Sequence, residues 1–259
     1  MAETNYIRAE AKSFALLNRF GIEDKHFDID DLAFALGIEV KDGGIASGDA
    51  WIVRHDDGTG TIRLNSVITS ARRRRFSIAH ELGHWELHPN LSQGYLCTGK
   101  NLRDYGQSPE ESEANWFAAT LLMPKFLLAP ETFKKDPDFT FIRQLASAFQ
   151  TSFTAAARRF VELSRQPIVL VASSSPGRVL WIARSKPASY LFVMPGQGIP
   201  HDSLTGEVLR GESTKTDIEP GDFAIWFPDL RVSDDAELFE QVSYSAELEM
   251  TLTLLWAPQ

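Results

Sequence analysis

Residues 76–89 read FSIAHELGHWELHP, and this stretch constrains the chain more than any other. Three of the six histidines fall within nine residues here, on an otherwise apolar segment that must stop at Pro89. The pattern predicts one long helix from about residue 69 to that proline. On a helix, side chains at i and i+4 lie one turn apart on the same face. His80 and His84 can therefore both reach one divalent ion, at about 2.0–2.1 Å from each nitrogen. Glu81 sits beside them, close enough to take a proton from water. This H-E-x-x-H spacing is the chemistry of a metal-dependent peptidase. The bland alternative is a chance pattern on an amphipathic helix. Ile78, Ala79, Leu82 and Trp85 weigh against it, because they bury the helix and buried imidazoles without partners are costly to desolvate.

A third ligand has to come from elsewhere. His88 is eight residues from His80, about 12 Å of helix rise, so one ion cannot hold both. It reads instead as a helix-end residue favoured by the dipole, or as a group that supports a ligand. The stretch SPEESEANWFAATLLMP, residues 108–124, opens a second helix with three glutamates. Steps of about 100° place Ala114, Phe117, Ala118, Leu121 and Leu122 on one apolar arc, with Glu111 at its edge. Glu113 points the opposite way, beside Trp116 and Thr120. Ser108-x-x-Glu111 is also a capping box with Pro109 at the first helical position. Both readings of Glu111 stand on helix physics alone. The histidine pair favours the ligand, since two His, one Glu and a water form a catalytic zinc set.

Around these helices the chain alternates elements. Residues 5–20 and 29–36 read as helices ending at Gly21 and Gly37, and 38–41 as a strand. Residues 50–65, AWIVRHDDGTGTIRLN, read as a hairpin around a DDGTG turn. Residues 90–107 read as a loop, and 139–165 as two helical periods broken at Gln150–Ser152. From Pro167 onward the pattern changes to strands: IVLVA, VLWIAR, YLFVM, FAIWF and ELEMTLTLLW, with 195–221 as loop. There is no internal repeat.

The two motif segments, RRRFSIAHELGHWELHP and EESEANWFAATLLMP, resemble the ImmA/IrrE family of metallopeptidases in order and separation. The resemblance covers roughly residues 5–165. It implies His80, His84 and Glu111 as metal ligands, Glu81 as general base, and Asn115 as the residue that orients the ligand carboxylate. It implies an α+β fold: a helical zincin-like peptidase domain with a small antiparallel sheet over residues 1–130, then a helix-turn-helix-like segment over 131–166. A C-terminal α/β domain similar to GAF sensors would fill 167–259, a weaker likeness that rests on strand count. Family members cleave helix-turn-helix repressors and so release stress-response or mobile-element genes. The expected cofactor is zinc, with manganese or another divalent ion as an alternative for such a donor set. The expected partner is a protein substrate of that repressor type, with a small-molecule ligand for the C-terminal domain. A rival reading is a DNA-binding regulator whose metal site is structural or vestigial.

Composition limits the rival. The net charge is −9, and residues 167–259 hold 6 Lys/Arg against 13 Asp/Glu, a balance that repels nucleic acid. Residues 139–166 are mildly basic, with four Arg against one Glu, but two packed helices serve structure more often than DNA contact. The four arginines at 72–75 point in all directions around one turn and read as an ion-paired surface. No run approaches the ~18 apolar residues of a membrane span, and no secretory signal is visible. Cys97 is the single cysteine, which excludes an internal disulfide and suits a cytoplasmic setting. It reads as a lone buried thiol, with a thiolate on the fourth metal position as the alternative. Tyr95, Tyr105 and His88 are the sequence neighbours that could stabilise an oxyanion.

Overall fold

A computed structural model describes residues 4–45, 48–89, 108–132, 135–245 and 249–258. The chain divides into two compact units, Met1–Leu127 with Ala146–Ser152, and Leu128–Leu145 with Phe153–Gln259. The fold is mixed α+β.

In the first unit, helix α1 (Tyr6–Arg19) is capped by Asn5, whose side chain accepts from Arg8 N, and α2 (Ile29–Ala35) by Asp28, which accepts from Asp30 N. Strand β1 (Ile38–Gly43) follows, then β2 (Ala50–Arg54) and β3 (Gly60–Asn65). The β2–β3 hairpin closes as expected, with His55 N donating to Thr59 O at 2.9 Å and Gly58 at φ +84°. The sheet order is β1-β3-β2. The expectation of an antiparallel sheet is corrected here: β2 pairs antiparallel to β3, but β1 pairs parallel to it, Val40 opposite Ile62. The turn chemistry that specifies a hairpin is local in sequence. The β1–β3 pairing spans the hairpin and leaves no local signal.

Helix α3 (Ala71–Leu87) carries the histidines and α4 (Pro109–Leu122) the glutamates. Their apolar faces meet with α1, α2 and the sheet in one core that includes Leu17, Ile62, Ile78, Leu82, Phe117 and Leu121. The arginine run holds the start of α3. Arg73 makes two bonds to Asp49 at 2.7 and 2.6 Å, and Arg74 two to Asp30 at 2.6 and 2.8 Å. Arg75 donates to Phe27 O at 2.7 Å and lies over the Phe27 ring. These contacts are the ion-paired surface the sequence suggested for Arg73 and Arg74.

Three helices follow: α5 (Lys125–Thr132), α6 (Phe139–Ala148) and α7 (Phe153–Leu163). The expected break between the last two is a tight reversal at Gln150, φ +52°, closed by Thr151 N to Ala146 O at 2.9 Å.

The second unit is built on β4 (Ile168–Ser174), β5 (Arg178–Arg184), β6 (Glu219–Gly221), β7 (Leu238–Ser245) and β8 (Met250–Trp256), with short helices α8 (Leu204–Leu209) and α9 (Phe223–Trp226). All pairs are antiparallel, in the order β5-β4-β8-β7-β6. Central β8 is buried along its whole length, so both its faces are covered. An α/β domain was expected, and what forms is one antiparallel sheet with short helices. Three further readings are corrected. YLFVM (190–194) alternates as a strand would, Leu191 and Val193 buried and Phe192 and Met194 exposed, yet it joins no ladder. FAIWF (223–227) is mostly α9, started by the Asp222 side chain accepting from Ala224 N at 2.7 Å. The supposed loop 195–221 contains α8 and β6.

Candidate metal centre

The site forms where α3 and α4 touch. Gly83 makes the approach possible: a methyl in place of its hydrogen would lie 3.0 Å from Ala114 Cα and 3.1 Å from Ala114 O. With the two backbones this close, the carboxylate of Glu111, one turn before Ala114, faces the imidazoles of His80, one turn before Gly83, and of His84, the residue after it. His80 Nε2 and His84 Nε2 are 3.0 Å apart. Glu111 Oε2 is 3.4 Å from His80 Nε2, and Glu111 Oε1 is 3.3 Å from His84 Nε2. The three side chains are 0, 3 and 2% exposed, for His80, His84 and Glu111 respectively. Glu81, fully buried, follows His80 on α3, and its charge acts on that imidazole.

Of the capping box, the serine half is what the structure shows. Ser108 is the cap, its Oγ accepting from Glu111 N at 3.2 Å, while the Glu111 carboxylate faces the histidines. Asn115, one turn later on α4, has its Oδ1 2.9 Å from His80 Nδ1, so this contact orients an imidazole where the resemblance implied the carboxylate. The amide oxygen only accepts, so Nδ1 of His80 carries the hydrogen and Nε2 presents a lone pair.

Whether these groups suit a divalent ion can be tested on distances. Donor atoms around a tetrahedral zinc at about 2.0–2.1 Å stand about 3.3–3.4 Å from one another. The observed separations of 3.0, 3.3 and 3.4 Å are close to those edges, and two imidazoles with a carboxylate are a known donor set for such ions. Among the described residues, His80, His84 and Glu111 are the group of His, Cys, Asp or Glu whose ligand atoms lie within 4.8 Å of one another. The residues fit the ion.

Without an ion, the three titrate as a coupled set. Burial works to lower the pKa of His80, but its contact with Glu111 and the charges of Glu81 and Glu111 outweigh burial and raise it above the ordinary 6.5. His84 goes the other way, down to about 4, because burial and the neighbouring His80 charge outweigh the help of Glu111. Glu111 is opposed by burial too, yet the two imidazoles hold its carboxyl far below the usual range.

His88 lies outside this three-residue group. Its ring reaches two neighbours instead: Nδ1 is 3.1 Å from His84 Nδ1, and Nε2 is 3.1 Å from Glu113 Oε2. The helical wheel separated Glu113 from Glu111 but gave no sign that Glu113 would be buried against His88. His55 and His201 bond to Thr61 and Asp202 at exposed positions, and neither belongs to this site. Cys97, Tyr95 and Tyr105 lie outside the described residues.

The model of the peptidase M78 family, described as the IrrE N-terminal-like domain, matches residues 34–161. The chain carries an IrrE N-terminal-like domain. That match spans α3 and α4 and therefore every residue of the candidate centre. The match to a peptidase family suggests a metallopeptidase, and with the three-residue group it makes a divalent metal the expected occupant. Among solved structures, a Mycobacterium tuberculosis transcriptional regulator has a similar fold, with a TM-score of 0.58 and 15% identity over 97% of this chain and 78% of that one. No curated protein matches the sequence. No helix among the described residues is long and apolar enough to cross a membrane.

Proposed function

We propose that the protein is a metal-dependent endopeptidase that cuts a helix-turn-helix repressor and so releases stress-response or mobile-element genes. The observation that carries this reading is the convergence of His80, His84 and Glu111 within 4.8 Å, with Glu81 next to the first ligand. Zinc is the proposed ion, held by these three side chains. Bound there, it would polarise a peptide carbonyl and make water more acidic. Glu81 accepts the proton of the attacking water and passes it to the leaving amine. Asn115 holds His80 with Nε2 turned to the site. The edge strand β2 is the proposed seat of an extended substrate segment. It lies beside the motif helix, since Arg54 stacks 3.4 Å over the Trp85 ring and donates to Trp85 O at 2.9 Å.

We assign the antiparallel C-terminal sheet a GAF-like sensing role, gating the peptidase through a small molecule. A thermal shift with that molecule would support it. The helix-turn-helix-like pair α6–α7 fits a second reading, a DNA-binding regulator, which the description of the Mycobacterium tuberculosis neighbour favours. The two readings separate on Glu81. Incubated with a divalent metal salt and helix-turn-helix repressors of the same genome, the wild type should give defined fragments by mass, and Glu81→Gln none. Fragments from Glu81→Gln at the wild-type rate would overturn the peptidase reading. Salt-sensitive DNA binding that survives this substitution would support the rival.

A further inference from the structure

Behind the imidazole pair runs a chain of hydrogen bonds that the proposed chemistry does not use. Glu113 on α4 and His88 at the end of α3 have side chains only 9 and 8% exposed. Glu113 Oε1 accepts from Asn5 N at 2.7 Å, and Oε2 faces His88 Nε2 at 3.1 Å. His88 Nδ1 in turn faces His84 Nδ1 at 3.1 Å. His88 is fixed further by its own backbone N–H, which donates to His84 O at 2.9 Å. Arg8 adds a clamp from α1, donating to Leu87 O at 2.7 Å.

We propose that Glu113 and His88 are a positioning pair that sets the tautomer and ring orientation of His84, and thereby the affinity of the site for its ion. The donors and acceptors of these side chains fix where each hydrogen lies. A carboxylate accepts only, so both the Asn5 amide and His88 Nε2 donate to Glu113. With Nε2 as its donor to Glu113, the His88 ring offers Nδ1 as acceptor in the proposed arrangement. Two ring nitrogens at 3.1 Å need one hydrogen between them, and His84 Nδ1 supplies it. The consequence falls on the opposite side of His84, where Nε2 keeps its lone pair for an ion held between it, His80 Nε2 and Glu111 Oε1, which stand 3.0 and 3.3 Å from it. His80 reaches the same tautomer through Asn115. Each imidazole is thus locked by a different partner from a different direction, and α4 supplies both ends of the arrangement.

Such outer contacts orient ligands and raise their basicity, and removing one typically weakens metal binding about 10–100-fold. A buried ion pair that merely ties α3 to α4 would stabilise the fold without touching the ion. The inference rests on the metal-site reading above, so the test keeps the two apart. Zinc affinity is measured by competition with a chromophoric chelator for the wild type, His88→Leu, Glu113→Leu and Glu113→Gln. Nitrogen-15 spectra of the histidine rings record which nitrogen of His84 carries the hydrogen. The thermal midpoint of each metal-free variant reports fold stability separately. The expected result is zinc affinity 10–100-fold weaker in both leucine variants, with the His84 hydrogen no longer confined to Nδ1. Glu113→Gln, which keeps an acceptor oxygen for His88, should recover most of the affinity. Wild-type zinc affinity and an unchanged His84 tautomer in both leucine variants would overturn the positioning role, even if their melting points fall. So would a wild-type His84 that carries its hydrogen on Nε2. A wild type that binds no zinc would instead count against the metal-site reading itself.

Discussion

Gly83 of α3 lies against the backbone of Ala114 of α4, so close that a single methyl group would stand 3.0 Å from Ala114 Cα. Everything at the site depends on that approach. In an exposed helix, Gly→Ala stabilises by about 1 kcal/mol through propensity. Here the neighbour is rigid helix backbone, and overpacking of this kind costs about 1–3 kcal/mol. The clash wins. Gly83→Ala should lower the melting temperature and weaken zinc binding together, as scanning calorimetry and chelator competition would show. A stabilised variant with normal zinc affinity would contradict the packing argument.

Ser108 and Glu111 divide two roles that the sequence pattern merges. Ser108→Ala should cost about 0.5–2 kcal/mol, the usual worth of a helix cap, and leave zinc affinity close to wild type. Glu111→Gln should do the reverse, keeping α4 capped by Ser108 but weakening the ion at least tenfold. Denaturant unfolding and metal titration on both variants check the pair. Equal effects of the two substitutions on zinc would contradict the division.

The pH dependence of zinc uptake follows from the opposite shifts of the two histidines. His84, down at about 4, is already free of its proton through the weakly acidic range. His80, raised above 6.5, is not, so an ion must displace one proton there. Between about pH 5 and 6.5 the zinc affinity should rise about tenfold per pH unit, a slope of one proton, and flatten above the raised pKa of His80. A slope of two would mean that His84 keeps an ordinary pKa.

Much of this site was legible because helix geometry is local. The i, i+4 pair His80 and His84, the adjacent Glu81, the 100° steps that set Glu111 and not Glu113 at the apolar edge, and the distance of His88 from His80 along the helix all follow from one helix at a time. Glu113 was not legible in the same way. Its burial depends on the end of α3 and the start of α1 meeting over α4, which periodicity does not encode. The same limit explains the sheets. The hairpin announces itself through its turn, but the parallel β1–β3 pairing joins residues across it. FAIWF looks strand-like by composition, and a single Asp222 cap makes it helical.

In the C-terminal unit, Glu240 is buried and serves four donors: Thr205 N at 2.8 Å, Thr205 Oγ1 at 2.5 Å, Leu204 N at 3.3 Å and Trp226 Nε1 at 3.0 Å. Each donor left unsatisfied in the interior costs about 1–3 kcal/mol. Glu240→Leu should therefore destabilise this unit severely, as a large fall in its melting temperature, while Glu240→Gln loses less. Equal stability of the two variants would remove Glu240 as the anchor of α8 and α9.

X-ray absorption at the zinc edge, on the chain loaded with one equivalent of zinc, tests the central claim most directly. The account predicts a first shell of nitrogen and oxygen at about 2.0–2.1 Å with the outer scattering of two imidazole rings, lost in His84→Ala. A spectrum without two imidazoles, or one unchanged by that substitution, would contradict it.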